Sequence, residues 1–245
     1  MGNALFQMLI LLVVSTASAV PNPMTLVVAP ISVDHKVTLT TALGQVGTRV
    51  QGGYVLFGID LRSTPEPQVE LTVSEPTPLG AVLSQIVGQL KGYGFQAISE
   101  HVIDVYSIKE WSDPGDILNI RVGEFTATNV PAMNIFSKPA TYIPQLKEYL
   151  LRGKTIQACG SIGPGISSYG PGISLTLHGA TIREILNATA EADASLAAHV
   201  QRHNLPTGWI HKIENDSDGQ PVNAWSFLSS VPHNWERYAL PTQNP

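Results

Sequence analysis

Apolar and polar residues alternate over residues 69 to 73, and a helical pattern follows directly. Val69, Leu71 and Val73 are separated by polar residues, which is the period of a strand buried on one face. The pair Thr77-Pro78 predicts a helix cap followed by a proline at the first helical position. Apolar residues at steps of three and four then predict a helix, namely Leu79, Val82, Leu83, Ile86 and Leu90. Beyond two glycines, the runs FQAIS and VIDVYSI predict a pair of hairpin strands.

The same order of elements recurs from residue 173. Ile173, Leu175 and Leu177 alternate with polar residues, which predicts a second half-buried strand. Thr181 and Glu184 have the spacing of a capping box, in which each side chain accepts from a free N–H group at the helix start. The helical stripe that follows comprises Ile182, Ile185, Leu186 and Ala190. Three further candidate strands are SLAAHV, GWIHKI and NAWSFLSSV.

Each alternating strand is also preceded by a helical stripe at a similar distance. The first stripe comprises Leu39, Leu43, Val46 and Val50, and the second comprises Ile143, Leu146 and Leu150. A short helix cannot bury its stripe alone, so each repeat should lay two helices on a sheet. We therefore predict an α+β fold of two small modules, each with two helices on one face of a small mixed sheet. The turn-rich segment WSDPGD, residues 111 to 116, separates the modules.

The first repeat resembles a known domain. The sequences VTLTTALGQVGTRVQGGYVLFGID and VELTVSEPTPLGAVLSQIVGQLKGYGFQAISEHVIDVYSI are similar to the short amino-terminal domain shared by secretins and TonB-dependent transducers, the STN domain. The resemblance covers residues 33–109 well and residues 117–230 in outline, so we expect two tandem STN-like modules, the second diverged. It implies an extracytoplasmic module that docks to other proteins, as at the periplasmic mouth of an outer-membrane pore or receptor. It carries over no catalytic motif.

The chain begins with the pattern of an export signal. Residues 1–19 contain an apolar run too short to span a bilayer comfortably and end in Ala-Ser-Ala, which fits the small-x-small rule for signal peptidase. We expect a cleaved signal peptide, with a retained membrane anchor as the alternative. The other predicted boundaries are 20–112 for the first module with an N-terminal extension, 113–231 for the second module and 232–245 for a C-terminal tail. The mature protein is then expected to be periplasmic or secreted, without a membrane span.

The charge pattern argues against two classes of partner. Charged residues make up 13% of the chain, the formal net charge is -5, and lysine and arginine do not cluster. Nucleic acid and anionic lipid both require clustered basic residues, so we expect neither as a partner. Cys159 is the only cysteine, which excludes an internal disulfide, and its apolar context predicts a packed thiol.

Candidate chemistry is confined to one loop and a few histidines. The segment GSIGPGISSYGPGIS, residues 160–174, lacks the endings of a phosphate loop and of a serine nucleophile elbow. It predicts a passive connector, or a partner-binding loop that exposes Tyr169. His199, His203 and His211 follow one another at spacings of four and eight, and the first two have the spacing of zinc ligands on one helix face. No acid or cysteine falls at a supporting position. We expect no metal and no cofactor, and His199 and His203 are the weak candidates for a metal site.

Tryptophans are concentrated near the end of the second module. Trp209 and Trp225 are predicted either to face the core of the sheet or to form an aromatic contact surface, and with Tyr169 they are the candidate binding residues. We expect a non-enzymatic exported module that binds a protein partner of the cell envelope through a sheet edge or a loop. The alternative is a small hydrolase or metal-dependent enzyme that uses the 160–174 loop and nearby histidines. A third possibility is a ligand-binding module that holds a peptidoglycan or peptide fragment between the two units.

Overall fold

The computed structural model describes residues 22–146, 156–158, 172–199, 206–215, 219 and 221–229. These residues form an α+β fold, which confirms the predicted class. The helices are α1 (Leu39–Arg49), α2 (Leu79–Val87), α3 (Ile108–Trp111), α4 (Ala132–Ser137), α5 (Pro139–Tyr142) and α6 (Ile182–His199), with 3-10 turns at Pro23–Thr25 and Ile117–Asn119. The strands are β1 (Val27–Val28), β2 (Ile31–Ser32), β3 (Val37–Thr38), β4 (Val50–Gln51), β5 (Leu56–Leu61), β6 (Gln68–Val69), β7 (Thr72–Val73), β8 (Thr77–Pro78), β9 (Tyr93–Ala97), β10 (Val102–Ser107), β11 (Glu124–Val130), β12 (Ile156–Ala158), β13 (Ile173–His178), β14 (Pro206–Asn215) and β15 (Pro221–Ser229).

The first half of the chain builds a three-stranded unit. In it β10 lies between β5 and β9, parallel to β5 and antiparallel to β9. Short antiparallel ladders join β2 to β7 and β3 to β6. The apolar stripes of α1 and α2 pack on this unit. Their predicted members Leu39, Leu43, Val46, Leu79, Val82, Leu83 and Ile86 are all buried.

The second half follows the same path. Here β15 lies between β12 and β14, parallel to β12 and antiparallel to β14. β13 pairs antiparallel with β11, as β6 and β7 pair with β3 and β2. The capping box of α6 forms as predicted, with Thr181 N donating to Glu184 Oε2 over 2.6 Å and Glu184 N donating to Thr181 Oγ1 over 3.2 Å. The recurrence in the sequence therefore corresponds to a recurrence of strand order.

The two units share one six-stranded sheet, whereas the sequence predicted a separate sheet for each module. The order is β12-β15-β14-β5-β10-β9, and the units meet where β14 pairs parallel with β5. This junction requires Gly208, because its φ is 123° and a Cβ there would overlap the carbonyl of Phe57. Pairing between the units depends on contacts far apart in sequence, which local periodicity does not encode.

Each unit packs its helices on a different face of this sheet. Phe57, Ile59 and Leu61 enter a core with α1 and α2, which we call the first face. Leu56 enters a core with α4 and α6, which we call the second face. Because β5 is buried along its whole length, its sequence is almost continuously apolar instead of alternating.

Two local predictions are wrong. Thr77 is not the cap of α2 and Pro78 is not its first residue, because both form β8 and pair with β1. Pro78 occupies the N-cap position, and α2 begins at Leu79 without a side-chain cap. The segment SLAAH is not a strand, because α6 extends through residue 199. In both places a tertiary contact or a continuing helix outweighs the local signal.

Three smaller departures concern the ends of predicted elements. The predicted strand over residues 69–73 is interrupted at Glu70, whose backbone bonds to a side chain and not to a neighbouring strand. Gln89 accepts from Glu70 N over 2.8 Å and donates to Glu70 O over 2.9 Å. Val50 begins β4 instead of ending α1, and Leu90 packs beyond the end of α2. Ile143 and Leu146 are buried after α5, and Leu150 lies outside the described residues.

The segment WSDPGD forms the turn between the units, as predicted. Asp116 accepts from Leu118 N over 2.9 Å and so caps the 3-10 turn that follows. Its Oδ2 also lies 2.8 Å from Arg62 Nη1 at the end of β5. This ion pair, together with the β5 to β14 ladder, ties the connecting segment to the shared sheet.

Candidate functional site

The second face of the sheet carries charged side chains in its interior. Asp60 on β5, Asp104 on β10 and His211 on β14 are all fully buried. Strand pairing places His211 directly beside Asp60. Charged residues are rarely buried without partners, because burial removes their hydration. The contacts of these three residues therefore define a candidate site.

Asp60 is the centre of this cluster. Its Oδ1 lies 2.8 Å from His211 Nδ1 and 2.7 Å from Arg62 Nε, and its Oδ2 accepts from Arg62 Nη2 over 2.9 Å. On the far side of the imidazole, His211 Nε2 lies 3.0 Å from Asn223 Oδ1 on β15. One carboxylate thus links β5 of the first unit to two strands of the second.

The electrostatics of Asp60 favour a permanent negative charge. Burial acts to raise its pKa, but the hydrogen bond and charge of His211, followed by those of Arg62, outweigh burial and hold the pKa below its ordinary value. Burial likewise opposes the charge on Arg62, and Asp60 and Asp116 still raise the pKa of its guanidinium. Because Asp60 and His211 are both fully buried, this pair orders the site and does not contact a substrate.

A second chain of hydrogen bonds crosses from β14 to β10 through α6. Trp209 Nε1 donates to Asn187 Oδ1 over 2.6 Å, and Asn187 Nδ2 donates to Asp104 Oδ2 over 3.0 Å. Gly58 makes room for both ends of this chain. A Cβ at that position would overlap Asp104 Oδ1 and lie 2.7 Å from the Trp209 ring.

The carboxyl group of Asp104 titrates in the neutral range. Burial raises its pKa to about 7, and the charge of Asp60 adds to the increase, while the hydrogen bond from Asn187 and the charge of Arg183 oppose it. Its Oδ1 has no hydrogen-bond partner among the described residues. Asp104 is therefore close to half protonated at neutral pH.

Arg183 lies in the first turn of α6 and is only 5% exposed. Its guanidinium carbon lies 4.4 Å from the ring centre of Trp111, and Trp111 stacks on Tyr106 with 3.8 Å between ring centres. Its closest anion is Asp60, with Nη2 to Oδ2 at 3.6 Å, which is too long for a hydrogen bond. Within the described part of the chain, none of its three nitrogens has a hydrogen-bond partner.

Asp104 and Arg183 line a single cleft of about 370 Å³. One wall is the end of β9, from Gln96 to Ile98, and the opposite wall is the start of α6. The other lining residues are Trp111, Asn119, Thr181, Glu184 and Asn187. The cleft is large enough for a small organic group, and it presents the guanidinium of Arg183, the carboxyl groups of Asp104 and Glu184 and neutral hydrogen-bonding side chains.

Of the predicted binding residues, the two tryptophans do not line this cleft. Trp209 and Trp225 are fully buried in the core of the second face, so neither can form the aromatic contact surface that was the alternative to a core position. Trp209 contributes to the site indirectly, because its Nε1 donates to Asn187, which lines the cleft. Tyr169, Cys159, His203 and most of the 160–174 loop lie outside the described residues, and of His199 only the backbone at the end of α6 is described.

Two further predictions concern metal and membrane. Among the described residues, no group of three histidine, cysteine, aspartate or glutamate side chains is placed to hold a metal ion. None of the helices in the described ranges combines the length and apolar character needed to cross a bilayer. The predicted signal peptide, residues 1–19, and the tail, residues 232–245, lie outside those ranges.

Sequence reasoning missed the residues that form this site. Asp60 interrupts the apolar run LFGIDL and Asp104 interrupts VIDVY, and an isolated charge in a buried strand is a signal of a polar network. His211 has the same position in GWIHKI. Arg183 gave no such signal, because a charged residue in the first turn of a helix is ordinarily solvated.

No protein-family model, no curated protein and no solved structure matches this chain. The geometry of the cleft and of the adjoining sheet edge is what bears on function.

Proposed function

We propose that the protein is an exported, non-enzymatic module that binds an extended segment of a protein partner in the cell envelope. The segment adds to β9, which together with β12 is one of the two end strands of the six-stranded sheet among the described residues. The single observation that carries the proposal is the row of outward backbone groups on β9. Export rests on the small-x-small signal pattern at the start of the sequence.

The hydrogen bonds at the two ends of β9 fix which of its groups point outward. Ile98 N donates to Val102 O, and Ile108 N donates to Gly92 O. Bonding in an antiparallel pair alternates along the strand, so the even-numbered residues of β9 face β10. The N–H and C=O groups of Phe95 and Ala97 therefore point away from the sheet. Such groups are a template for an added strand.

Apolar side chains mark both ends of the same edge. Among the described residues, the exposed large hydrophobic side chains are Ile98, 39% exposed, and Ile108, 58% exposed. Ile98 directly follows β9, and Ile108 lies close to Gly94 near its start. An added strand would cover both, which supplies apolar burial in addition to main-chain hydrogen bonds.

The charges near β9 indicate the chemistry of the partner segment. A cleft of about 590 Å³ at the start of β9 is lined in part by Lys91, Tyr93, Ile108 and Lys109. Glu110 also lines this cleft, and its Oε1 lies 3.6 Å from Lys109 Nζ. Lys91 is therefore the lysine whose charge favours an acidic residue in the bound segment, because complementary charge steers association. The segment that fits is extended, largely apolar and acidic near one end.

Site-specific photocrosslinking in the native host tests this proposal. A photoreactive phenylalanine derivative replaces Ile98 at the edge or, as control, Ala81 on the exposed side of α2. We expect a discrete adduct with one envelope protein from position 98 and none from position 81. The purified partner should then bind the wild-type chain by a saturable reaction.

Two substitutions at Ala97 test whether partner binding depends on an outward main-chain N–H group of β9. Ala97→Pro removes an outward N–H group without removing a bond to β10, since proline is tolerated on edge strands. We expect about tenfold weaker binding of the partner, which corresponds to the loss of one main-chain hydrogen bond. Ala97→Val keeps the N–H group and should bind normally. Equal binding by both variants, or no adduct at position 98, would contradict edge addition.

A further inference from the structure

The cleft beside β9 contains a cation whose hydrogen-bonding capacity is unused within the described chain. Arg183 is nearly fully buried, and its three nitrogens have no hydrogen-bond partner there. Burying a guanidinium without such bonds is costly, because its hydration is lost and not replaced. The guanidinium carbon lies over the Trp111 ring, 4.4 Å from its centre, so a cation–π contact helps to hold the group in place.

Asp60 does not form a hydrogen bond with this guanidinium. Its Oδ1 is engaged by His211 at 2.8 Å and faces Arg62 at 2.7 Å, and its Oδ2 accepts from Arg62 at 2.9 Å. Arg183 remains 3.6 Å away, at the outer side of the network. The arrangement fixes Arg183 electrostatically and leaves its donors for another acceptor.

We propose that this cleft is a carboxylate-binding site, in which Arg183 donates to both oxygens of the ligand and Asp104 donates one further hydrogen bond. A planar guanidinium matches a carboxylate in a two-bond arrangement. Asp104 Oδ2 already accepts from Asn187, so Oδ1 carries the proton of the neutral acid. Both groups line the same cleft, and both are at least nine-tenths buried.

Protonation of Asp104 links this site to pH. The neutral acid donates to a bound carboxylate, whereas the ionised form repels it, and the pKa of Asp104 is raised to about 7 by burial. Binding should therefore weaken as the pH rises through neutrality. The other charged or titratable groups around the cleft and its network are Asp60 on β5, Arg62 directly after β5, Arg183 and Glu184 on α6, Asp116 in the connecting turn and His211 on β14.

Acetate is the probe, because it is the smallest stable ligand with this chemistry. The full mature chain is titrated with sodium acetate at constant ionic strength, and the N–H signals of Arg183 Nε and Trp111 Nε1 are followed by NMR. We expect saturable shifts of both signals with acetate and none with acetamide, which has the same shape without the charge. Absence of saturation with acetate, or equal saturation with acetamide, would overturn the proposal.

Three variants separate the site from general effects of structure. Arg183→Lys should weaken acetate binding about tenfold or more, because a lysine offers a point charge in place of a planar fork. Arg49→Lys, at an exposed arginine at the end of α1, should bind as the wild type does. Between about pH 6 and pH 8, wild-type affinity should fall about tenfold, in proportion to the protonated fraction of Asp104. Asp104→Asn should abolish that pH dependence while leaving the folded spectrum intact, and a persistent tenfold change would overturn the role of Asp104.

A second experiment tests whether the bound carboxylate belongs to a docked peptide segment or to a small acid. The peptide Ac-Val-Thr-Glu-Val-Thr-amide is compared with its glutamine counterpart and with acetate, on wild type and on Ala97→Pro. Because Ala97 also lines the cleft, the ratio of peptide affinity to acetate affinity is compared within each protein. A glutamate peptide that binds at least tenfold more tightly than acetate, and loses that advantage in Ala97→Pro, assigns the carboxylate to a docked segment. Equal affinity for peptide and acetate in both proteins assigns it to a small acid. Acetate binding does not require the edge, so failure of edge addition leaves this result unchanged.

Discussion

The two faces of the central sheet are built from the same strands but have different interiors. On the first face, Phe57, Ile59 and Leu61 of β5 belong to a continuous apolar core with α1 and α2. On the second face, Gly58 and Asp60 of the same strand meet a buried polar network beneath α6. Both units have the same strand order, so the path of the chain does not explain the contrast.

The contrast shows that the second face is not stabilised by an apolar core alone. An apolar core alone would stabilise both faces, and the first face demonstrates that the sequence can supply one. Buried charges are retained on the second face although they are costly to desolvate. The face that carries them is also the face that opens into the cleft at the β9 edge. Local departures of this kind concentrate at functional sites.

Removing the charge of Asp60 should lower the free energy of unfolding more than any other substitution considered, because it disrupts the polar network of the second face. In Asp60→Asn, Arg62 loses its closest buried anion, so we expect the free energy of unfolding to fall by about 3–5 kcal/mol. Urea denaturation at neutral pH measures this loss. The matched control is Ile59→Val, one residue away on the apolar face, which should cost about 0.5–1.5 kcal/mol. Equal losses in the two variants would show that the polar network adds nothing to stability.

Asp104 should make the polar face sensitive to pH. Its folded pKa of about 7 lies above the unfolded value near 3.8, so between these values the folded protein holds one more proton and stability falls as pH rises. The stability of wild type relative to Asp104→Asn should therefore decrease by up to about 4 kcal/mol between about pH 4 and pH 8. Urea denaturation of both proteins across this range measures it, and a constant difference would refute the shift.

A glycine exchange compares crowding on the two faces without changing any charge. Gly58→Ala drives a methyl group into Asp104 and Trp209, and we expect a loss of about 1–3 kcal/mol in the free energy of unfolding. Gly44→Ala is the control, because nothing lies within 4 Å of a Cβ at this position of α1. That variant should be more stable by about 0.5–1 kcal/mol, since alanine is the better helix former. Thermal denaturation distinguishes the two signs, and a stable Gly58→Ala protein would contradict the close packing.

The smallest expected difference in stability is between substitutions of the two buried tryptophans, Trp209 and Trp225. Trp209→Phe removes the donor to Asn187, whereas Trp225 Nε1 has no partner among the described residues. Trp209→Phe should therefore cost about 1 kcal/mol more than Trp225→Phe, since both lose similar apolar area and only one loses a hydrogen bond. Urea denaturation of the two variants gives the difference, and a larger loss in Trp225→Phe would argue against the Asn187 bond.

Part of the fold follows from local sequence alone. The stripes of α1 and α2, the hairpin of β9 and β10, and the capping box at Thr181 were all predicted, because periodicity and capping depend on neighbours a few residues apart. The recurring unit was visible for the same reason. Thr77-Pro78 and SLAAH were misassigned because pairing with β1 and the continuation of α6 are decided elsewhere in the chain.

The candidate site was decided by tertiary structure. Asp60 and Asp104 already stand out in the sequence as charges within apolar strands, yet their partners do not. His211 is 151 residues from Asp60, and Asn187 is 83 residues from Asp104. These pairs meet only because β14 joins β5 and α6 crosses the second face. The sequence by itself determined two amphipathic units. The surroundings of the buried charges were decided by the pairing of those units, because burial and electrostatic partners depend on distance in space and not on distance along the chain.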